Sequence, residues 1–269
     1  MQGRVLIVAG SDSGGGAGIQ GDIKTVTMLG GYAMTAITAL TAQNTQGVYG
    51  IVGVEAGFVR KQIDVVLSDI GADAIKTGML YSWEIADMMS EVARLNPQIP
   101  LIVDPVMVAT SGDSLLDSRK AVDILKEKLI PKATIVTPNI PEAEIITGRR
   151  IDNVDDMFFA AQRIISMGAK SVVIKGGHAN GDIIFDVFYD KYGDKQVFSS
   201  QRVYTKNTHG TGCTLASAIA CGIARGKTIK FSVIYAKEYL EDAILLAEGF
   251  GRGQGPLKHN YVLDKIPSE

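Results

Sequence analysis

Short apolar runs that alternate with helical segments are the feature of this sequence that most restricts its fold. The runs are Arg4 to Val8, Ala74 to Thr77, Leu101 to Val103, Thr134 to Thr137 and Ser171 to Lys175. Continuous apolar runs of this kind are typical of strands buried on both faces of a parallel sheet. The segments between them carry helix signals, such as Ser82 as the N-cap of a helix that ends at Leu95. We therefore predict an α/β fold, with helices covering both faces of a mostly parallel sheet.

One segment departs from this alternation. Asp182 to Tyr189 and Gln196 to Phe198 flank the turn-forming sequence from Asp190 to Asp194, which predicts a β-hairpin and therefore an antiparallel edge. Two helices follow, the second from about Ser232 to Glu248. We find no linker, repeat or low-complexity tract, so we predict a single domain over residues 1–269.

The charge balance argues against several classes of function. The chain has 27 basic and 29 acidic residues, a net charge of -2, and no Lys/Arg block that would suit nucleic acid or a membrane surface. We expect neither a signal peptide nor a membrane span, and we expect small molecules as partners.

Cys213 and Cys221 lie in one predicted helix, about 12 Å apart by helical rise, which is too far for a disulfide. Free thiols fit a cytoplasmic protein.

The first strand runs into a glycine-rich loop, Ser11 to Gly18, for which three interpretations are open. The sequence from Gly16 to Gly21 matches G-x-G-x-x-G, but the next β-type run ends in Ala42-Gln43-Asn44, without the acidic residue that a dinucleotide site needs. The glycines could also serve only to turn the chain. We favour a third interpretation, in which Gly10 and the loop lie close to a flat or phosphorylated substrate, with Asp22 and Gln43 as polar contacts.

Polar residues follow three of the predicted strands: Asp104, Asn139 and Lys175. Open α/β sheets bind ligands beyond the carboxyl ends of their strands, where these side chains would meet. Asn139 could instead act only as a helix N-cap, and Glu142, one turn on, could hold a magnesium ion through water. Lys175 could be a solvated surface residue, but beside an anion site it would suit phosphoryl transfer.

The strongest signal is the segment from Lys206 to Thr214, which precedes an apolar helix. Glycines on both sides of Thr211 at a helix start let several backbone N–H groups face one space, where the helix dipole adds positive potential. Simple helix capping is the alternative. We expect the pKa of Cys213 to be lowered in the first helical turn, so that its sulfur can serve as base or nucleophile. His209 is expected to shape the loop, and Cys221 to lie in the core.

With these residues assembled, the chain resembles the ribokinase-like superfamily, and within it the hydroxymethylpyrimidine/phosphomethylpyrimidine kinases of thiamin biosynthesis. The resemblance rests on the motifs Ala9 to Gln20, Thr38 to Thr45, Lys76 to Leu80, Val103 to Met107, Thr137 to Ala143, Lys175 to His178 and Asn207 to Thr214. It implies a ribokinase-like three-layer αβα sandwich and a homodimer. It also implies ATP-dependent phosphorylation of 4-amino-5-hydroxymethyl-2-methylpyrimidine to its monophosphate and then to the diphosphate.

The resemblance also implies roles for individual residues. The aminopyrimidine would contact Gly10, Asp22, Gln43, Met79 and Val106, and ATP would contact Asn139, Lys175, Thr208, Gly210 and Gly212. Mg²⁺ would be held near Asp104 and Glu142. The catalytic residues would be Cys213, Gly210, Thr211, Gly212 and Lys175. The wider superfamily usually has aspartate where Cys213 stands, whereas the thiamin-pathway kinases resemble this chain in having cysteine. A pyridoxal kinase, a dual-specificity kinase and a non-catalytic nucleotide or vitamer sensor stay open as alternatives.

Overall fold

The computed structural model of the 269-residue chain describes residues 3–107, 119–177 and 181–265. Its strands are β1 (Arg4–Asp12), β2 (Tyr32–Asn44), β3 (Gly47–Gly53), β4 (Ala74–Thr77), β5 (Leu101–Val103), β6 (Ile135–Val136), β7 (Ser171–Ile174), β8 (Ile183–Asp190) and β9 (Lys195–Gln201). They form one sheet in the order β3-β2-β1-β4-β5-β6-β7-β8-β9. The strands from β2 through β7 in that order pair in parallel, as the sequence predicts.

Both edges of the sheet are antiparallel. The predicted hairpin is confirmed as β8 and β9, with Tyr189 opposite Lys195. The other edge was not predicted: β3 runs antiparallel to β2, because the chain reverses between Asn44 and Gly47, which pair with each other. The polar sequence between the two strands is therefore a hairpin turn and not a connection to a further parallel strand.

Eight α-helices are described. They are α1 (Gly18–Met28), α2 (Ala56–Asp69), α3 (Trp83–Leu95), α4 (Arg119–Ile124), α5 (Ile140–Thr147), α6 (Val154–Ser166), α7 (Thr211–Ala224) and α8 (Ile229–Leu245). The sequence also predicts a helix after Asp117-Ser118 that runs to Ile130; its start lies outside the described residues. From Arg119, α4 continues as a π-helical turn and then a 3-10 turn to Lys132. Among the described residues, none of the helices has the length and apolarity that crossing a membrane requires.

The alternation of side chains along the strands divides the core into two layers. In β1, Leu6 and Val8 pack in the cluster that includes residues of α2 to α6. Val5 and Ile7, one position away, pack in the cluster that includes residues of α1, α7 and α8. Successive side chains of a strand point to opposite faces, so each buried strand contributes to both clusters. The predicted arrangement of helices on both sides of the sheet is confirmed.

Candidate active site

The turn before α7 has a backbone that requires glycine. Gly210 is the N-cap of the helix, with φ at +90°, and a Cβ there would lie 2.0 Å from the Gly16 carbonyl oxygen. A glycine N-cap offers no side chain to the first N–H groups of the helix. Thr214 N–H bonds to Gly210 O at 2.9 Å, and Thr211 N–H lies a long 3.4 Å from Thr208 O. The first turn of α7 therefore has no side-chain cap, as an anion site at a helix N-terminus requires, and the anion site stays a prediction.

Lys175 and Asp104 meet in front of this turn. Lys175 Nζ donates to Asp104 Oδ1 at 3.0 Å, and Thr137 Oγ1 donates to the same oxygen at 3.0 Å. Asp104 follows β5 and Lys175 follows β7, with β6 between the two strands in the sheet. A Cβ on Gly212 would lie 3.2 Å from Lys175 Nζ and 3.7 Å from Asp104 Oδ2. The structure therefore brings together three residues that the sequence analysis proposed separately.

The charges of this group are mutually dependent. Burial opposes the charge on Lys175, but the neighbouring carboxylates of Asp104 and Glu142 outweigh it and raise the pKa of Lys175. Burial raises the pKa of Glu142 to about 7, and the Asp104 charge acts in the same direction, while Lys175 opposes it. The carboxylates therefore favour the charged form of Lys175, and burial raises the pKa of Glu142 toward neutrality.

Asn139 is confirmed as a helix cap. Its side-chain oxygen accepts Glu142 N–H at 2.8 Å, and its own N–H donates to Glu142 Oε2 at 2.8 Å, which forms a capping box at the start of α5. The cap fixes the Glu142 side chain on the same side of the sheet as Lys175, whose backbone forms a bridge with Asn139. The nucleotide and metal roles of Asn139 and Glu142 stay predictions.

Gly212 offers a direct test of how closely the turn and Lys175 are fitted. We expect Gly212→Ala to lower kcat about tenfold, or about 1.4 kcal/mol, because the new Cβ would displace Lys175 Nζ. The melting temperature should not fall, since alanine favours a helix over glycine. Gly57→Ala is a matched control, since Gly57 is also the second residue of its helix, α2, and a Cβ there would meet nothing closer than Glu55 Oε1 at 3.5 Å. A wild-type kcat in Gly212→Ala would show that the close approach of Gly212 and Lys175 does not affect catalysis.

Cys213 corrects one expectation from the sequence. Burial raises the pKa of its thiol to about 11, although Lys76 and a hydrogen bond from Gly18 N–H act in the opposite direction. The expected lowering of the pKa by the helix terminus was wrong, because removal of the sulfur from water outweighs the favourable groups around it. In the ligand-free protein, burial therefore favours the neutral thiol of Cys213 over the thiolate.

Asp22 lies deeper than the sequence analysis expected of a residue that contacts substrate. Its side chain is completely buried, and its carboxylate binds Lys76 Nζ at 2.8 and 2.9 Å and accepts Ser217 Oγ at 2.7 Å. Burial opposes the charge on Lys76, but Asp22 outweighs it and raises the Lys76 pKa. This network joins α1, β4 and α7 directly behind Cys213. A contact between Asp22 and a substrate stays a prediction, and Lys76 is a charged neighbour of the site that the sequence analysis did not single out.

The other expected acceptor contacts surround the ends of β1 and β2. A Cβ on Gly10 would lie 2.2 Å from Met79 Cε, so the two residues touch. Gln43 is held to the first glycine loop by Ser13 Oγ, which donates to its carbonyl at 2.9 Å and accepts its N–H at 2.8 Å. Val106 is half-buried and follows Asp104. Their contacts with a pyrimidine stay predictions.

Two buried residues of the site were missed as functional residues. Asp12, at the end of β1, and His209, in the turn before Gly210, form a contact of 2.8 Å between Asp12 Oδ2 and His209 Nε2. The sequence signals were weak: an acidic residue before a run of glycines, and a histidine already considered to shape a loop. Thr208 Oγ1, in the residue before His209, donates to Gln254 Oε1 at 3.1 Å. A contact between Thr208 and a nucleotide stays a prediction.

Comparison with known proteins identifies similar sequences along almost the whole chain. Residues 12–258 match the family described as phosphomethylpyrimidine kinase. A thiamine biosynthesis bifunctional protein from Geobacter sulfurreducens is 51% identical over 269 residues, which covers 98% of this chain and 54% of that protein. The chain thus spans about half the length of this relative. A hydroxymethylpyrimidine/phosphomethylpyrimidine kinase from Bacillus subtilis is 46% identical over 260 residues, covering 95% of this chain and 94% of the relative.

The fold has close counterparts among solved structures. A pyridoxal kinase from Staphylococcus aureus, in complex with AMP-PCP and pyridoxal, superposes with a TM-score of 0.89 and 34% sequence identity. The match covers 99% of this chain and 96% of the other. The predicted ribokinase-like α/β fold is confirmed by this similarity and by the topology of the sheet.

Proposed function

The chain belongs to the phosphomethylpyrimidine kinase family, and we propose that it transfers the γ-phosphoryl group of ATP to 4-amino-5-hydroxymethyl-2-methylpyrimidine. A second transfer converts the monophosphate to the diphosphate, which places the enzyme in thiamin biosynthesis. The observation that carries this proposal is the convergence of Lys175, Asp104 and the N-terminus of α7 at the carboxyl ends of the inner strands. A cation, a carboxylate and free helix N–H groups are what phosphoryl transfer requires around the moving group.

The donor side consists of Lys175 and the turn from Thr208 to Cys213, with Asn139 near the phosphates. Lys175 pairs with Asp104 and can turn toward a γ-phosphoryl oxygen, because its side chain is 16% exposed and its Nζ lies beside Gly212. The N–H groups of Gly210, Thr211, Gly212 and Cys213 stabilise the charge on the transferred group. Preorganised donors of this kind need no rearrangement during the reaction.

Magnesium fits the carboxylates present. Asp104 and Glu142 supply hard oxygen ligands, and Asp104 Oδ2 lies beside Gly212 at the mouth of the anion turn. The described residues hold no group of three or more metal-ligand side chains. Mg²⁺ is commonly held by one or two carboxylates together with substrate phosphates and water, so two are sufficient. The bound ion would neutralise the β- and γ-phosphates.

On the acceptor side, Cys213 orients the hydroxymethyl group. The Cys213 thiol first loses its proton to water. As the substrate oxygen then forms its bond to the γ-phosphorus and the bond to ADP breaks, the hydroxyl proton passes to the Cys213 thiolate. The thiolate that accepts it is favoured by Lys76 and by the N–H of Gly18. Because phosphoryl transfer proceeds through a loose transition state, the proton can move late, when the oxygen has become acidic.

The decisive experiment incubates the purified chain with ATP and each of three alcohols: the hydroxymethylpyrimidine, its monophosphate and pyridoxal. We expect one ADP for each phosphorylated pyrimidine, with the monophosphate and then the diphosphate identified by mass. Phosphorylation of pyridoxal alone would favour the alternative suggested by the similar pyridoxal kinase. ATP binding without any product would favour a sensor.

We also propose that residues 1–269 act as a single kinase domain, as a cytoplasmic homodimer that binds neither nucleic acid nor membranes. One sheet runs through the described residues, and Cys213 and Cys221 are free thiols. Exposed apolar side chains on β2 and β3, namely Leu40, Tyr49 and Val52, offer a surface for a second copy. Light scattering of the purified chain tests the dimer.

A further inference from the structure

The Asp12 carboxylate collects hydrogen-bond donors from both sides of the site. Oδ1 accepts Gly14 N–H at 2.8 Å, while Oδ2 accepts Gly16 N–H at 3.0 Å and Ala17 N–H at 2.9 Å. Oδ2 also lies 2.8 Å from His209 Nε2. The first three donors belong to the glycine loop after β1, and the fourth belongs to the turn before α7. One buried carboxylate therefore joins two loops that are 197 residues apart in the sequence.

The charge state of Asp12 determines the direction of the contact with His209. Burial opposes ionisation of Asp12, but the His209 contact and the backbone N–H groups outweigh it and lower the pKa of Asp12. An ionised carboxylate only accepts hydrogen bonds, so His209 Nε2 carries the proton and donates it. Asp12 and His209 are 3% and 7% exposed, so water does not compete for this bond.

The two loops also touch without free space between them. A Cβ on Gly210 would lie 2.0 Å from Gly16 O, and a Cβ on Gly16 would lie 2.5 Å from His209 Cδ2. The Cys213 sulfur receives a hydrogen bond from Gly18 N–H, at the start of α1. Any rotation of His209 would therefore displace Gly210, and with it the backbone N–H groups of the residues that come next in the turn.

The main chain of His209 is fixed from the other side. His209 N–H donates to Gly255 O at 3.1 Å, and Gly255 N–H donates to Lys206 O at 3.0 Å. With its backbone held by Gly255 and its ring held by Asp12, His209 has a defined orientation. The segment from Lys206 to Gly210 is in this way attached at both ends.

We propose that Asp12 and His209 are positioning residues, which lock the glycine loop on the acceptor side to the anion turn on the donor side. The inference rests on the proposed function, because it assigns the two loops to the two substrates. The pair touches neither the phosphoryl group nor the acceptor. It holds the acceptor loop and the N–H groups of the turn at the spacing that in-line transfer requires.

The test compares His209→Leu with His209→Gln. We expect His209→Leu to lower kcat about 10²-fold, the cost of a misplacement of about 1 Å. His209→Gln should recover most of this loss, because its amide can still donate to Asp12. The affinity for ADP should change less than about threefold in both variants. The complex of ADP, aluminium fluoride and acceptor mimics the transition state, so the affinity for this combination should fall by the same factor as kcat.

Asp12→Asn and the double variant Asp12→Asn/His209→Leu complete the design. Residues that act as one unit give a double variant hardly worse than either single variant, and we expect that result. His259→Gln is the control: His259 is buried and contacts Thr214 Oγ1 in α7 at 3.0 Å, but does not join the two loops. It should cost thermal stability and leave kcat unchanged. If His209→Leu does not fold, His209→Asn replaces it, since its shorter amide does not reach Asp12.

The inference would be overturned if the variants lost affinity for ADP and for the transition-state mimic equally. It would also be overturned by additive effects on kcat in the double variant, or by a wild-type kcat in His209→Leu. Turnover of wild-type protein tests the proposed function separately. The ratio of kcat between the position-209 variants can be measured with whichever alcohol the wild type phosphorylates. A wrong substrate assignment and a wrong positioning role can therefore be distinguished.

Discussion

Replacement of Cys213 by alanine is expected to lower kcat by about 10²- to 10⁴-fold, the range that a positioned acid–base group contributes. The KM for ATP should change little, because the sulfur receives Gly18 N–H, which follows the glycine loop proposed to bind the acceptor. Steady-state kinetics with the pyrimidine alcohol separate the two parameters. Wild-type turnover in Cys213→Ala would contradict the assignment of Cys213 as base.

The pH dependence distinguishes a base from a residue that only packs. The pKa of Cys213, raised to about 11 by burial, lies above neutrality. If ionised sulfur is needed, kcat should rise as the pH increases above 7, toward that pKa. Cys213→Asp should retain part of the activity and lose most of this rise, since an aspartate is ordinarily ionised at neutral pH. An unchanged pH profile in Cys213→Asp would indicate that another group sets it.

Lys175→Met is expected to have a comparable effect, lowering kcat by about 10²- to 10³-fold, as removal of one donor to a developing anion does. The physical reason is twofold. The transferred phosphoryl group loses its cation, and Glu142 loses the neighbouring charge that stabilises its ionised form. The pKa of Glu142, which burial already raises, should then rise further. More Mg²⁺ should be needed for half-maximal activity, which a magnesium titration measures.

Lys230→Met provides the matched control for that substitution. Lys230, in α8, pairs with Asp194 at 2.8 Å, but both side chains are well exposed. Exposed ion pairs contribute about 0–1 kcal/mol, so stability should change little and kcat not at all. If Lys175→Met kept its turnover and its magnesium requirement, Lys175 would be a structural partner of Asp104 alone.

The sequence predicts best what depends on neighbouring residues. The parallel strands follow from short apolar runs, and the capping box spans only the four residues from Asn139 to Glu142. The tight turn at Gly210 was recognisable because only glycine adopts its φ of +90° without strain. The β8–β9 hairpin followed from turn-forming residues between two β-type runs. Each of these features is set within one element or one turn.

What the sequence could not provide depends on residues that are distant in the chain. Asp22 and Lys76 are separated by 54 residues, and Asp12 and His209 by 197, yet both pairs are buried and in contact. The raised pKa of Cys213 has the same origin, since burial by other elements exceeds the local effect of the helix terminus. The second antiparallel edge was missed because a polar segment after a strand does not reveal whether the chain turns back.

The order of the sheet has a consequence for folding. Within β3-β2-β1-β4-β5-β6-β7-β8-β9, every neighbour is also a neighbour in the chain, apart from β1 and β4. Contacts between segments close in sequence form with little loss of chain entropy, so the sheet can grow by successive local additions. The Asp12–His209 contact closes a far longer loop. In refolding experiments, we expect the circular dichroism of helices and strands to recover before kinase activity does.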